Sequence, residues 1–469
     1  MLPIAVAIIV GAIVITRHLR NNSQSDAEDK KGGKNRRRLS FNSEVLLKSF
    51  PPDKSVPPPI VNIVAFVKKI PSVEELVSTF GVLQKFPRFV STVHENSGGS
   101  GWELRPFGPE QEQDQRKWLE NHLRATIRTV HVPNAAAMRA AVDAEVASDL
   151  ENYKQCPLWT VVRLVNDNAA VDTDCNKQYS VILFRVHHAL GDGISLVESL
   201  GAAFQNAATG LPMQLDIAKH MSGGKGGSGV ADRPSLFSLA SSLLSVLGQA
   251  ASAFDDPTAL DPSDKASLSF SGRRRTIVMP TVRLDFVKAL KNAAGCTVND
   301  VMVAAYAGAV RRYTHALRPS LMHEHMRHRL LMPVAFPRPV EDPAQAMRNK
   351  WAFASLSAPV GESGALARIA AVRESTRLLK ASPIVGVQFW VQTSLLPLLP
   401  AWLAQKTAFD LFSRHSAVFS NVPGPAEPVA VAGCAEPLLG FQIVFPNLLP
   451  QVRCLLPRSN EVEIDVIQS

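Results

Sequence analysis

Residues 179–193 read YSVILFRVHHALGDG, and this stretch limits what the chain can fold into more than any other. YSVILFRV mixes β-branched, aromatic and aliphatic residues in the manner of a buried strand. The run ends in two adjacent histidines, His187 and His188. Ala-Leu-Gly-Asp-Gly then reads as a tight turn, and a helix begins near Ile194, with Ile194, Val197, Leu200 and Phe204 on one face. A strand–turn–helix unit places His188 at the carboxyl end of a core strand, where α/β folds hold reactive groups on loops fixed by rigid elements. Gly191 and Gly193 are expected to let the backbone turn sharply and let a substrate approach.

A neutral imidazole beside a hydroxyl can take its proton while the oxygen attacks an acyl carbon. The ordinary pKa of histidine lies near working pH, which suits that role. His188 is therefore the candidate base. His187 and Asp192 are expected to shape the loop, Asp192 through an ion pair for which Arg338 is the candidate partner. A polar turn with a satisfied histidine is the alternative reading. It leaves the paired rings and the Asp-Gly spacing unexplained.

The chain has 469 residues, more than one hydrophobic core usually holds, so two domains are expected. With 46% hydrophobic and 19% charged residues it is too polar for a multi-span membrane protein. No segment of 20–50 residues repeats, which excludes a solenoid. Net charge is +9, but residues 1–50 hold nine Lys/Arg against four Asp/Glu. The basicity thus belongs largely to a tail, and no zinc-finger spacing, aromatic RNA-binding strand or basic heptad region points to a nucleic-acid partner. The five cysteines are odd in number and form no CxxC pair, so neither a disulfide framework nor a metal site is expected, and a reducing compartment fits.

Residues 2–16, LPIAVAIIVGAIVIT, carry no charge. As a helix they reach roughly 22 Å at about 1.5 Å per residue, short of the about 20 residues of a typical span. Positive charge follows the run, in Arg17, Arg20 and KKGGKNRRR, which favours a retained anchor with the remainder on the cytosolic side. The basic run also suits anionic lipid headgroups. Residues 1–20 are thus read as a membrane anchor and 21–58, basic then proline-rich, as a disordered linker. Globular text begins near 59: a strand at IVNIVAFVKKI, a helix opening at Pro71, helical pattern at 133–152, and strands at 158–166 and 179–187. The text is irregular over 205–270, with a flexible MSGGKGGSGVADRP and an amphipathic helix at 236–254 read as packed on the domains. Residues 383–404 are very apolar but interrupted by three prolines, which argues against a simple span; an acyl tunnel, a dip into a bilayer or ordinary core remain open.

HHALGDG resembles the HHxxxDG motif of coenzyme-A-dependent acyltransferases built like chloramphenicol acetyltransferase. Further blocks, in family order, resemble the wax ester synthase/diacylglycerol acyltransferase family. They are PLW at 157–159, TVNDVMVAAYAGAVRRY at 297–313, MPVAFPRP at 332–339, Asn349 in RNKWAFASLSAPVG, and FSNVPGP at 419–425. The likeness runs from about 60 to 460. Arg348 stands where the family usually has Gly, and the carboxyl end stops short of the family's usual one. Each block also has its own physical reading. Asn299 can cap a helix and Asp300 favours its positive first turn. Ala304, Ala305, Ala307, Gly308 and Ala309 make a smooth packing face. Ser420 and Asn421 can donate to an oxyanion or substrate. Trp159 reads as core.

The resemblance implies a mixed α/β (α+β) fold of two chloramphenicol-acetyltransferase-like domains, at 59–210 and 271–469, joined by a crossover linker at 211–270, with the active-site channel between them. It implies O-acyl transfer from acyl-CoA to a long-chain alcohol or to diacylglycerol, with no cofactor, metal or covalent acyl-enzyme. The expected catalytic set is His188, His187 and Asp192. Gly193, Asn299, Asp300, Ser420 and Asn421 are the expected substrate-binding set. Partners are acyl-CoA, a fatty alcohol or diacylglycerol, and membrane lipids. The expected location is the endoplasmic reticulum membrane with the catalytic domains in the cytosol, lipid droplet and plasma membrane being the alternatives. A carrier-protein-dependent condensation-type enzyme and a non-catalytic lipid-binding protein of the same fold are the competing readings.

Overall fold

The computed structural model describes residues 37–47, 58–95, 102–107, 112–150, 155–169, 179–213, 235–261, 275–278, 282–336, 347–399, 401–425, 427–434, 436–445, 452–458, 461–462 and 465–468. The apolar segment read as an anchor, the Gly/Ser-rich stretch at 221–234 and Arg338 lie outside these residues.

The amino-terminal half is built on a mixed sheet. A short helix (α1, Phe41–Leu47) precedes it. The strands are β1 (Ile60–Val67), β2 (Arg128–Val132), β3 (Trp159–Asn166) and β4 (Ser180–His187). All eight positions of β4 are buried, as its continuous apolar run requires. β4 lies between β1 and β3, antiparallel to both, and β2 joins β3 in parallel. Ile60 faces His187 in the β1–β4 register, so the histidine pair emerges where β1 begins. The helix α2 (Gly193–Gly201) follows the turn.

The second half begins with a long helix (α3, Val298–Leu317), then β5 (Arg329–Ala335), β6 (Trp351–Ser357), the helix α4 (Ala365–Ala381) and β7 (Ala417–Pro423). The sheet order is β6-β5-β7, continued by Val452–Arg458, Asp465–Gln468 and Arg275–Val278. The helix α3 packs against α4, with Ala304, Ala307 and Val303 buried between sheet and helix. The Arg368 guanidinium crosses the helix at Gly308, where a Cβ would stand 2.9 Å from it and make that side chain shift. The strand β8 (Gly440–Val444) then returns to the first half and pairs antiparallel with β1, extending the amino-terminal sheet. Val429–Val431 likewise pairs with Phe204–Asn206.

Three sequence expectations are corrected and one left open is narrowed. The helix after the histidines ends at Gly201, and Phe204 lies on a strand; the buried face carries Ser195, Leu196 and Ser199 with Leu200, and of the expected face only Leu200 is buried in the helix. The segment 21–58 is not linker throughout. Leu39 and α1 pack into the first core, with Asn42 and Ser43 buried. Thr297, not Asn299, caps α3, in a capping box with Asp300. The segment 383–404 is folded chain: a helix at Ile384–Trp390, one π-helical stretch at Val391–Leu395 and a 3-10 turn at Leu396–Leu398, with Ile384–Trp390 packed on β6. The amphipathic helix near 236 runs over Leu236–Gln249 and buries Ser242 and Val246 while exposing Phe237 and Leu244. Among the described residues no single helix is long and apolar enough to cross a membrane.

Trp159 is core, as its sequence context indicated. Its ring meets Phe89 edge-on at 5.4 Å, and its indole N–H donates to the Phe89 carbonyl at 2.8 Å. Phe80 stacks on Phe184 at 5.3 Å beside them. Phe89 is fully buried at the centre of this cluster, under the loop that carries His188. Phe89→Ala is expected to destabilise the fold by about 3–5 kcal/mol, read as a lowered midpoint in urea unfolding.

Candidate active site

The backbone brings the histidines out under control at both positions. His187 N–H donates to the Leu158 carbonyl and His188 N–H to the Pro59 carbonyl. The turn His188–Leu190 is a single 3-10 turn, and Gly191 is fully extended at φ −178°. No residue of HHALGDG has a positive φ, so the glycines are not there for left-handed backbone. Gly191 serves close packing: a Cβ would lie 2.9 Å from Ser195 Cβ. Gly193 faces β7, and a Cβ there would meet Val422 at 3.5 Å.

Beneath the turn, Arg88 donates to the Ala189 and Leu190 carbonyls at 3.2 and 3.0 Å. Asp192 is the N-cap of α2. Its Oδ1 accepts from Ser195 N–H and Ser195 O–H, each at 3.0 Å, and its Oδ2 accepts from Lys350 N–H at 3.1 Å. The Asp192 carboxylate therefore ties the turn to the strand leading into β6, which is the cross-half contact that an ion pair was expected to make.

His187 is 7% exposed, and its Nδ1 accepts the Ala189 N–H at 3.1 Å. Burial, with the neighbouring His188 ring second, pushes its pKa down to about 3. It is a neutral brace for the loop.

His188 is half-buried, its ring edge-on to Phe445 at 5.1 Å. Its Nδ1 lies 3.2 Å from Asn349 Oδ1. The orientation of that amide follows from its other contacts. Asn349 Nδ2 meets the carbonyls of His188 at 2.7 Å and Ala189 at 3.3 Å, which only accept. Trp351 Nε1, which only donates, meets Oδ1 at 3.3 Å. Oδ1 thus faces the imidazole, and Nδ1 of His188 carries the hydrogen. In the neutral ring Nε2 then keeps the lone pair.

The remaining expected residues divide. Side chains alternate along β7, so Ser420 and Val422 share the face toward Gly193, and Asn421 faces the other way with Phe419. Ser420 Oγ has no hydrogen-bond partner among the described residues. Asn421 Nδ2 donates to Asn299 Oδ1, joining β7 to the start of α3. Asp300 Oδ2 accepts from Thr297 N–H and O–H, so the buried Asp300 caps α3. A small apolar cleft, with a free volume of about 50 Å³, opens beside α2. It is bounded by Ile63 of β1, Val197 and Leu200 of α2, Val422 of β7, and Leu438 and Phe441. Asn349, Asn42, Ser43 and Gln392 were missed as site residues. The visible signal was an amide just before β6.

Two halves with a strand exchanged between them, and HHALGDG at the end of β4, define the fold of chloramphenicol-acetyltransferase-like HHxxxDG proteins. The chain is similar in fold to the wax ester synthase/diacylglycerol acyltransferase from Marinobacter aquaeolei VT8 (TM-score 0.56, 19% identity, 92% of this chain and 93% of that one). It is also similar to the trichothecene 15-O-acetyltransferase from Fusarium sporotrichioides (TM-score 0.57, 14% identity, 92% and 90%). Residues 347–448 match the family model described as the WS/DGAT C-terminal domain. Wax ester synthase/diacylglycerol acyltransferase 5 of Arabidopsis thaliana is 28% identical over 280 residues, 54% of this chain. The match spans about half of that relative, 51% of its length. The chain thus resembles the wax ester synthase/diacylglycerol acyltransferase family, through the match at residues 347–448 and through these relatives.

The depressed pKa of His187 has a sign. Its folded value lies below the ordinary 6.5, so between about pH 6.5 and 3 the unfolded chain binds a proton that the folded chain does not. Stability is full above that window and falls as the pH drops through it. His415, pushed to about 4 chiefly by burial, acts in the same sense. At about pH 5 each should cost about 2 kcal/mol relative to neutral pH. Urea midpoints at the two pH values test this, and His187→Gln, which keeps an acceptor for Ala189, should remove roughly half of the drop.

Proposed function

We propose that the chain is an O-acyltransferase that moves a fatty acyl group from acyl-CoA to a long-chain alcohol, to diacylglycerol, or to both. His188 is the general base. Nε2 takes the hydroxyl proton as the alcohol oxygen bonds to the thioester carbonyl carbon. The tetrahedral intermediate collapses, the carbon–sulfur bond breaks, and the proton passes from the imidazolium to the departing thiolate. The products are an ester and the free CoA thiol. His187, Arg88 and Asp192 hold the loop, and Ser420 O–H is the candidate donor to the oxyanion.

The observation that carries this reading is the tautomer of His188, a half-buried ring whose Nδ1 is committed to Asn349 and whose lone pair lies on Nε2. The cleft supports the substrate class through its walls, which are apolar throughout, with Ile63, Val197, Leu200 and Phe441 among them. The names of the related proteins point the same way. Residues 1–20 are proposed to anchor the chain to the endoplasmic reticulum membrane, which would bring the site to lipid acceptors.

Purified chain with a long-chain acyl-CoA and either hexadecanol or diacylglycerol should release free thiol, and His188→Ala should lower the rate roughly 10²–10⁴-fold; an unchanged rate refutes the base assignment. Val197→Phe narrows the cleft and should lower kcat/KM roughly tenfold for long chains while sparing short ones. Loss of residues 1–20 should release the protein from sedimenting membranes.

A further inference from the structure

The amide that orients His188 is itself held from the amino-terminal segment. Asn349 Nδ2 donates to Ser43 Oγ of α1 at 2.9 Å, and Ser43 is fully buried. Asn42, the preceding residue, donates from Nδ2 to the main-chain carbonyls of Asn349 and Trp351, each at 3.2 Å. Gln392, on the π-helical stretch, donates to Asn42 Oδ1 at 2.8 Å. Both the side chain and the backbone of Asn349 are thus gripped by α1. That helix lies before the first sheet in the chain, and it packs on the turn His188–Leu190.

We propose that α1 is a working part of the active site, and that Asn349 and Ser43 are positioning residues that hold His188 with its hydrogen on Nδ1. This rests on the general-base reading of His188. The physical basis is the one-way character of the contacts. Were the amide turned over, its oxygen would face the His188 and Ala189 carbonyls and its NH2 would face the Trp351 N–H, leaving buried groups of like polarity together. Ser43 adds an acceptor on the nitrogen side only. Removing it loosens the amide without reversing it, whereas removing the amide frees the ring to place its hydrogen on Nε2 and lose the lone pair that takes the substrate proton. In a Ser-His-Asp triad the wrong tautomer costs about 10⁴ in kcat.

The test uses the full chain with 15N-labelled histidine rings, the His188 signals being identified by their loss in His188→Gln. Wild type should show a protonated Nδ1 and a bare Nε2 at neutral pH. Asn349→Leu should shift the ring to a mixture of tautomers and lower kcat at least roughly 10²-fold with KM little changed. Ser43→Ala should lower kcat about fivefold, as loss of one neutral hydrogen bond does, and Ser43→Thr should restore it. Hydrogen on Nε2 in the wild type, or a tautomer ratio unmoved by Asn349→Leu, overturns the proposal. So does a Ser43→Thr variant that behaves as Ser43→Ala, a comparison that stands even if Asn349→Leu fails to fold. The ring spectrum does not depend on turnover. A His188→Ala enzyme of unchanged rate would end the general-base reading while the spectrum still judged the relay.

Discussion

An amide confined between two carbonyls and two N–H donors can face only one way, and the chemistry of the site depends on that restriction at Asn349. The carbonyls belong to the histidine turn, so the turn that carries the imidazole also fixes the group that orients it. The turn is in turn defined by β1, β3 and the Asp192 cap, through the Pro59 and Leu158 carbonyls on one side and Lys350 N–H on the other. Because residues 348–351 belong to the second half and the turn to the first, the geometry of one ring reports the seating of the two halves on each other.

The histidine pair illustrates how one sequence motif supplies two unlike groups. His187 is enclosed, neutral and an acceptor at Nδ1; His188 is half-buried and a donor at Nδ1. The difference comes with the end of the strand: His187 is the last residue of β4 and His188 the first of the 3-10 turn, so the two rings enter different surroundings. A buried cation below, Arg88, is bonded to the carbonyls of the turn and so rigidifies the loop.

Much of this arrangement was legible in the residues. The apolar run before His187, the Asp-Gly after it and the PLW block identify β4, the cap of α2 and the aromatic core, because period, turn chemistry and burial are local properties. What was not legible depends on contacts between residues far apart in the chain. Asn42 and Ser43 sit in a polar stretch whose composition matches a linker, and only their bonds to residues 349–351 make them interior. Asp300 read as an acid in the first turn of α3, as it is, while its capping partner, Thr297, was overlooked in favour of Asn299. Asp192 is of the same kind: the sequence shows an acid needing donors, and the fold delivers Ser195 and the Lys350 N–H among them.

The strand β8 pairs with β1 across almost four hundred residues of intervening chain. The first sheet has an open edge along β1 until the polypeptide has been made to about residue 444, so synthesis from the amino end leaves that half unfinished for most of translation. Such a contact carries a large sequence separation and slows folding accordingly. An exposed edge of Ile, Val and Phe is a template for pairing with other chains, which makes the nascent protein dependent on rapid completion or on protection of that edge before its carboxyl-terminal strands emerge.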